Sequence, residues 1–278
     1  MIKGERRVKD LIKNVAKGDS GKAQRLQRHY AMERFLERVS ISDYRDKMIL
    51  KGGMLVSSIV GLDARSTMDI DTTCKDMPLD LESASRMVEE ITLISLDDDM
   101  SFDVGAAQEI MEDSEYGGVR IPLVAHLGKS RIPLKIDVST GDAITPSEVD
   151  YEYSLMFEDR SIHIWTYSIE TLLAEKLETV LSRSVSNTRP RDFYDIFALT
   201  DMGYPEDRAL FAEAFENTCS KRGTVIDTAD ARNTLALVRN SRPMENRWIR
   251  FGKDFDYASE IEWKKALNAT LLLFELTV

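Results

Sequence analysis

The amino-acid sequence predicts an α+β protein in which a mixed-sheet domain is followed by a helical bundle domain. Strand-like runs, in which apolar and polar residues alternate, fill much of the chain between residues 47 and 139. From Ser168 onward, apolar residues recur mainly at helical spacing. With 278 residues, 43% of them hydrophobic, the chain is long enough for two modest domains. We therefore expect one domain over residues 1–165 and a second over residues 166–278.

The first strong helical signal lies between Lys22 and Val39. Apolar residues recur there at helical spacing, and four arginines lie among them: Arg25, Arg28, Arg34 and Arg38. Residues 1–50 carry 13 Lys and Arg against 7 Asp and Glu, whereas residues 66–119 carry 2 against 15. We expect an amphipathic helix whose basic side meets a polyanion, and a solvated surface helix is the plainer alternative.

The sheet domain is predicted from strand-like runs bounded by turn residues. Residues 118–127 and 131–139 alternate on both sides of Gly128-Lys129-Ser130, so we expect a hairpin there. The other predicted elements of this domain are strands at 47–50, 66–73 and 102–104 and a helix at 79–94. A mixture of this kind indicates an α+β domain.

The second domain is predicted from segments with helical periodicity. These segments are residues 169–183, 191–201, 208–222 and 258–278. Because each has an apolar stripe that must be buried, we expect the segments to pack as a bundle.

Asp69 and Asp71 lie two residues apart in a strand-like run. Side chains on a strand alternate between faces, so both carboxylates should point the same way. Asp137 lies in a second alternating run and would add a third carboxylate if the two strands are neighbours. Carboxylates without nearby His or Cys favour Mg²⁺ or Mn²⁺ over Zn²⁺. An ordinary exposed acidic pair is the alternative for Asp69 and Asp71 taken alone.

The glycine pair Gly52-Gly53 directly follows a short apolar run. Glycine permits a tight turn and a close backbone approach, so the N–H groups at the start of the following helix could bind phosphate oxygens. The surrounding sequence matches neither the GxGxxG pattern nor the P-loop. A dinucleotide-binding fold and a Walker-type ATPase are therefore not supported.

Four motifs in a fixed order resemble a known family. The segments KGGMLVSSIVG…RSTMDID, LKIDV, LLAEKLETVLSR and RPRDFYDIF are similar to the AbiEii/AbiGii abortive-infection toxins, a branch of the polymerase-β-like nucleotidyltransferases that includes the MenT-type tRNA-modifying toxins. The resemblance runs from about Lys51 to Leu199. It implies a metal-dependent nucleotidyltransferase with NTP bound between the two domains.

The resemblance also implies a role for each matching residue. Those residues are Gly52 and Gly53 as the nucleotide-phosphate turn, Asp69 and Asp71 as the catalytic metal-binding pair, Asp137 as the third metal ligand, Lys176 as a catalytic and nucleotide-binding lysine, and Asp192 as a catalytic aspartate. The sequence departs from the family pattern where Gly53 replaces a common serine and Arg191 replaces a common lysine. The second change keeps the charge but alters its geometry.

Plainer alternatives exist for the two residues in the predicted helices. Lys176 lies among leucines and valine, so it could be a core-helix lysine whose ammonium reaches water. Asp192 follows Pro190 by two residues, so it could simply favour a helix N-terminus.

The resemblance implies the toxin of a toxin–antitoxin or phage-defence system. It would move NMP from NTP to an RNA acceptor, with tRNA favoured, and its cognate antitoxin need not touch it. The charged N-terminus and the short apolar C-terminal stretch lead us to expect a cytoplasmic protein without a membrane partner. The alternatives are an NTP–Mg²⁺-binding regulatory protein that acts through a partner without turnover, and a scaffold whose acidic strand is only surface.

Overall fold

A computed structural model describes residues 1–110 and 117–278 of the protein. The chain divides into two compact units. The first, called the sheet unit, comprises Met1–Ser58, Ser66–Gly141 and Val149–Thr166. The second, called the helical unit, comprises Ile59–Arg65, Asp142–Glu148 and Tyr167–Val278.

The sheet unit is built on one mixed sheet, which has eight strands within the described residues. The strands are β1 Met48–Lys51, β2 Ile70–Cys74, β3 Met100–Val104, β4 Gln108–Ile110, β5 Gly118–Leu127, β6 Ser130–Thr140, β7 Val149–Ser154 and β8 Ser161–Thr166. Their order is β3-β5-β6-β2-β1-β8-β7, and β4 pairs with β5. The pairs β2/β6 and β1/β8 are parallel, and the others are antiparallel.

Four helices begin in the sheet unit: α1 Glu5–Ala16, α2 Ser20–Ser40, α3 Gly52–Val60 and α4 Leu81–Thr92. Aspartates cap two of them, because Asp19 accepts from the N–H of Lys22 and Asp80 accepts from the N–H of Ser83. Helix α2 buries most of its second half, including Tyr30. Such burial identifies α2 as a core helix of this unit rather than a surface helix.

The prediction that the arginines of α2 form an exposed basic side is therefore wrong for two of the four. Arg34 is fully buried, and its Nη1 lies 2.9 Å from Glu37 and 3.1 Å from Glu158. Arg38 is also buried and donates to both carboxylate oxygens of Asp98, at 2.7 and 3.0 Å. These guanidinium groups neutralise buried carboxylates. Neither can contact RNA from this position.

The helical unit contains α5 Ile169–Arg183, α6 Pro190–Asp201, α7 Arg208–Lys221, α8 Thr228–Arg239, α9 Arg242–Asp254, α10 Asp256–Ser259 and α11 Trp263–Glu275. Ser168 caps α5 by accepting from the N–H of Thr171. Aromatic contacts fill the core, since Phe193 packs edge-on against Trp263 at 4.9 Å and Trp248 lies 5.6 Å from the same ring. No helix within the described ranges is both long enough and apolar enough to cross a membrane.

The predicted fold class is confirmed, with differences in several elements. Strand β2 begins at Ile70 rather than Ser66, so Asp69 immediately precedes the strand instead of lying on it. The helix expected after the glycine pair is present as α3, whereas β4, β7 and β8 were not predicted, nor were α1, α8, α9 and α10. In β7, Tyr153 is the buried residue among half-buried and exposed ones, so the alternation that marks a strand is weak.

Candidate functional site

A row of four charged residues crosses the centre of the sheet. Lys51 of β1 pairs with Asp71 of β2, Asp71 pairs with Asp137 of β6, and Asp137 pairs with Arg120 of β5. Directly paired residues on adjacent strands project from the same face. The row therefore places two carboxylates side by side between two cations.

The pKa of Asp71 is raised above the ordinary value of an aspartate. Its burial raises the pKa most, and the neighbouring carboxylates of Asp137 and Asp69 raise it further. The backbone N–H of Gly53, 3.4 Å from Oδ2, acts in the opposite direction, as does Lys51. The two neighbouring predicted carboxylates thus act on Asp71 in addition to its burial. A bound cation would relieve this repulsion.

Cations of the protein hold the other two carboxylates. Arg120 donates to Asp137 through Nε at 2.7 Å and Nη2 at 2.6 Å, which is a bidentate pair. The ammonium of Lys135 lies 3.1 Å from Asp69. Across the described ranges, no group of three acidic, His or Cys side chains is arranged to hold a metal ion. The role of Asp137 as a third ligand stays a prediction, since a metal would compete there with Arg120.

Gly52 lies against Asp71 at the start of α3. Its φ of +64° belongs to the left-handed region, which favours glycine. A Cβ added to Gly52 would lie 2.8 Å from both Cβ and Cγ of Asp71. Glycine is thus needed at this position for a structural reason that does not involve a nucleotide, because it lets the helix begin directly beside the carboxylate of Asp71. Phosphate binding by Gly52 and Gly53 stays a prediction.

Lys176 and Asp192 lie together in the helical unit. The ammonium of Lys176 lies 2.6 Å from Asp195 Oδ2 and 3.5 Å from Asp192 Oδ1, and the side chain is only 9% exposed. The alternative of a core-helix lysine that reaches water is therefore wrong. The lysine instead holds its charge between two carboxylates.

Asp195 anchors this cluster and was not predicted. Arg65 Nε donates to it at 2.7 Å, in addition to Lys176. Burial by itself would raise the pKa of Asp195, but Arg65 and Lys176 outweigh it and lower the pKa to about 2. The signal in the sequence is weak: Asp195 follows Asp192 by three residues, so both lie on one side of α6 among apolar residues.

Asp192 occupies the first turn of α6, two residues after Pro190. It is buried, and Arg189 Nε lies 3.1 Å from its Oδ2. A carboxylate at this position also favours the helix N-terminus, as the plainer alternative holds. Its position fits both interpretations, because the same carboxylate faces the helix start and the ammonium of Lys176.

Comparison with known protein families identifies the family of this chain. The family described as "Nucleotidyl transferase AbiEii toxin, Type IV TA system" matches residues 34–269. The protein belongs to the AbiEii family. The match covers all the predicted site residues of this AbiEii toxin, in both units. Family membership gives it the nucleotidyltransferase class and a toxin–antitoxin context.

The AbiEii toxin also resembles solved structures in fold. JHP933 from Helicobacter pylori is 16% identical, with a TM-score of 0.50, and the match covers 91% of this chain and 93% of that one. A second H. pylori protein, provisionally described as a nucleotidyltransferase, is 17% identical with a TM-score of 0.49, covering 91% and 96%. No curated protein matches this chain significantly.

The donor chemistry of the AbiEii toxin fits a hard divalent cation. Asp69 and Asp71 offer carboxylate oxygens, and oxygen ligands favour Mg²⁺ or Mn²⁺. The raised pKa of Asp71 reflects charge repulsion that a cation at the cluster would remove.

Proposed function

We propose that this AbiEii-family toxin transfers a nucleoside monophosphate from NTP to a hydroxyl group of RNA, with tRNA as the favoured acceptor. The hydroxyl oxygen bonds to the α-phosphorus as the bond from that phosphorus to the bridging oxygen of the β-phosphate breaks. Pyrophosphate leaves with the electron pair, and the hydroxyl proton passes to solvent. The register that pairs Asp71 with Asp137 beside Gly52 is the observation that carries the proposal.

Each residue of the sheet unit has a role in this proposal. Asp69 and Asp71 would hold Mg²⁺ or Mn²⁺. Asp137 would be the third oxygen ligand after its hydrogen bonds with Arg120 break. The metal would neutralise phosphate charge and lower the pKa of the attacking hydroxyl. The N–H groups at the start of α3, from Gly52 and Gly53, would bind phosphate oxygens.

In the same proposal, Lys176 of the helical unit supplies positive charge, and two aspartates hold its ammonium. Lys176 would contact the nucleotide phosphates, and Asp192 would orient its ammonium across the 3.5 Å that separates them. Asp195 holds the ammonium of Lys176 in place by accepting its hydrogen bond at 2.6 Å. Positioning and charge neutralisation of this kind supply most of the catalysis in phosphoryl transfer.

A labelling experiment tests the proposal. The protein is incubated with each α-labelled NTP in turn, with Mg²⁺ or Mn²⁺ and total RNA, and both the labelled species and the released pyrophosphate are measured. We expect one RNA band to take up label, and Asp69→Asn and Asp71→Asn to abolish it. Asp159→Asn is the matched control, because it makes the same change at an exposed site of the same unit.

Two results would contradict the proposal. Near-native transfer by Asp69→Asn or Asp71→Asn at saturating metal would remove these residues from the site. Metal-dependent NTP binding without pyrophosphate release would instead support the regulatory alternative, in which the protein acts through a partner.

A further inference from the structure

Helix α9 carries a basic surface that the proposed reaction has not used. We define the α9 basic face as Arg242, Arg247 and Arg250. Arg242 and Arg250 are exposed and Arg247 is half-buried. None of the three forms an ion pair within the described residues. They differ in this from Arg34 and Arg38 of α2, whose charges are already neutralised.

The α9 basic face includes a small hollow with no acidic lining. Pro243, Asn246, Arg247 and Arg250 line it, so it presents two guanidinium groups and one amide. Asp254 lies one turn beyond Arg250 and forms no ion pair with it in the described part of the chain. Guanidinium groups match the geometry of phosphate oxygens.

The core of the helical unit fixes the direction in which this face points. Met244, Trp248 and Phe251 are buried on the side of α9 that lies away from the exposed Arg242. The indole N–H of Trp248 also donates to the carbonyl of Ile261 at 2.8 Å. The helix therefore cannot turn its arginines away without losing these contacts.

A chain of contacts connects the α9 basic face to the proposed catalytic aspartate. Arg247 donates to the backbone carbonyl of Asn187 at 3.3 Å, and the side-chain oxygen of Asn187 accepts from the N–H of Arg189 at 2.7 Å. Arg189 Nε then lies 3.1 Å from Asp192. Arg247 of the α9 basic face thus contacts the segment that leads into α6.

We propose that the α9 basic face binds the phosphate backbone of the RNA acceptor. The inference rests on the proposed function, because it assigns a surface to the acceptor of that reaction. RNA is favoured over an acidic protein partner because the guanidinium groups of this face match phosphate oxygens, and because Arg247 adjoins the segment that carries Asp192, a residue of the proposed site. An acidic protein could bind any basic surface of the molecule.

The test compares two double variants that remove the same charge. Arg242→Gln with Arg250→Gln changes α9, and Arg6→Gln with Lys13→Gln changes exposed residues of α1 that form no ion pair in the described ranges. Binding of labelled unfractionated tRNA is measured by anisotropy without NTP, from about 50 to about 200 mM salt. We expect the α9 variant to lower the salt slope by about two units, one for each lost phosphate contact, and the α1 variant to leave it unchanged. Melting temperature and NTP binding confirm that both variants are folded.

Several outcomes would overturn the inference. An unchanged salt slope for the α9 variant would exclude phosphate contacts there, and an equal fall for the α1 variant would indicate binding by general charge. If polyglutamate binds as tightly as tRNA and loses affinity in the same variant, the partner is an acidic protein instead. If wild-type protein releases pyrophosphate but binds no tRNA, the inference falls while nucleotidyl transfer stands. If tRNA binds through α9 but no NTP is consumed, the α9 basic face is an RNA-binding surface and the proposed nucleotidyl transfer is wrong.

Discussion

Gly52 shows how one residue without a side chain shapes the acidic cluster. It combines a left-handed backbone with contact to Asp71, whereas Gly61 has φ +91° and nothing near the position of its missing Cβ. We expect Gly61→Ala to cost about 1 kcal/mol from backbone strain alone. Gly52→Ala should cost several times more, because it adds a collision with a fixed side chain. Chemical denaturation of both variants measures the difference, and equal losses would show that Asp71 moves aside freely.

The carboxylate of Asp71 is buried and is repelled by two neighbouring carboxylates, so removal of its charge should stabilise the protein. Because its folded pKa is raised, the folded state binds this proton more tightly than the unfolded state does. The carboxylate therefore costs stability above its folded pKa, and the cost fades as pH falls toward the unfolded value. We expect Asp71→Asn to raise the melting temperature at neutral pH, with a gain that shrinks in acid, and Asp159→Asn to show neither effect. A lower melting temperature at neutral pH would contradict this electrostatic account.

At the scale of elements, α5 and α6 are joined by a buried ionic contact. Asp195 contributes about 2 kcal/mol at neutral pH, because its pKa is lowered to about 2. That stability is present above the unfolded pKa and is lost as pH falls through the folded value. We expect Lys176→Met to cost about 3 kcal/mol, since it leaves buried carboxylates with less compensation.

A double-mutant cycle checks this contact. Lys176→Met, Asp195→Asn and the double variant are unfolded in urea, at neutral pH and again in acid. We expect a coupling energy of 0.5 kcal/mol or more, about the threshold for residues in contact. Additive losses would mean that the two side chains do not interact. Transfer activity per folded molecule of Lys176→Met, measured alongside, separates a catalytic lysine from one that only supports packing.

The elements also show what the sequence could and could not predict. Helix α5 was predicted at its observed bounds, and β5 likewise, because their apolar periodicity is strong. The expectation that Asp71 and Asp137 lie on neighbouring strands agrees with their pairing in the sheet, whereas Asp69 precedes its strand. The partners Arg120 and Asp195 were not predicted, because the first depends on the register between β5 and β6 and the second on the packing of α5 against α6. Periodicity marks which face a residue takes but not which strand or helix lies opposite.

For the whole molecule, the net charge of −11 makes nucleotide binding without a cation unfavourable. We expect NTP with Mg²⁺ or Mn²⁺ to stabilise the folded protein by about 3 kcal/mol at a hundredfold excess over Kd. NTP alone or the metal ion alone should stabilise the folded protein less than the two together. Thermal unfolding with each component singly and together measures this, and Asp69→Asn should abolish the joint effect while Asp159→Asn keeps it. Equal stabilisation by NTP without metal would contradict a carboxylate-held cation.

The strand order has a consequence for the time at which the protein becomes active during its synthesis. The neighbours of β2 are β1 and β6, and the second neighbour of β1 is β8. A ribosome releases Asp69 and Asp71 long before it releases Asp137, and β1 gains its last partner only when residues 161–166 have emerged. Lys176 comes later still. A translation product that ends before Asp137 therefore lacks the third carboxylate of the proposed site, and one that ends before Lys176 lacks the proposed nucleotide-binding lysine.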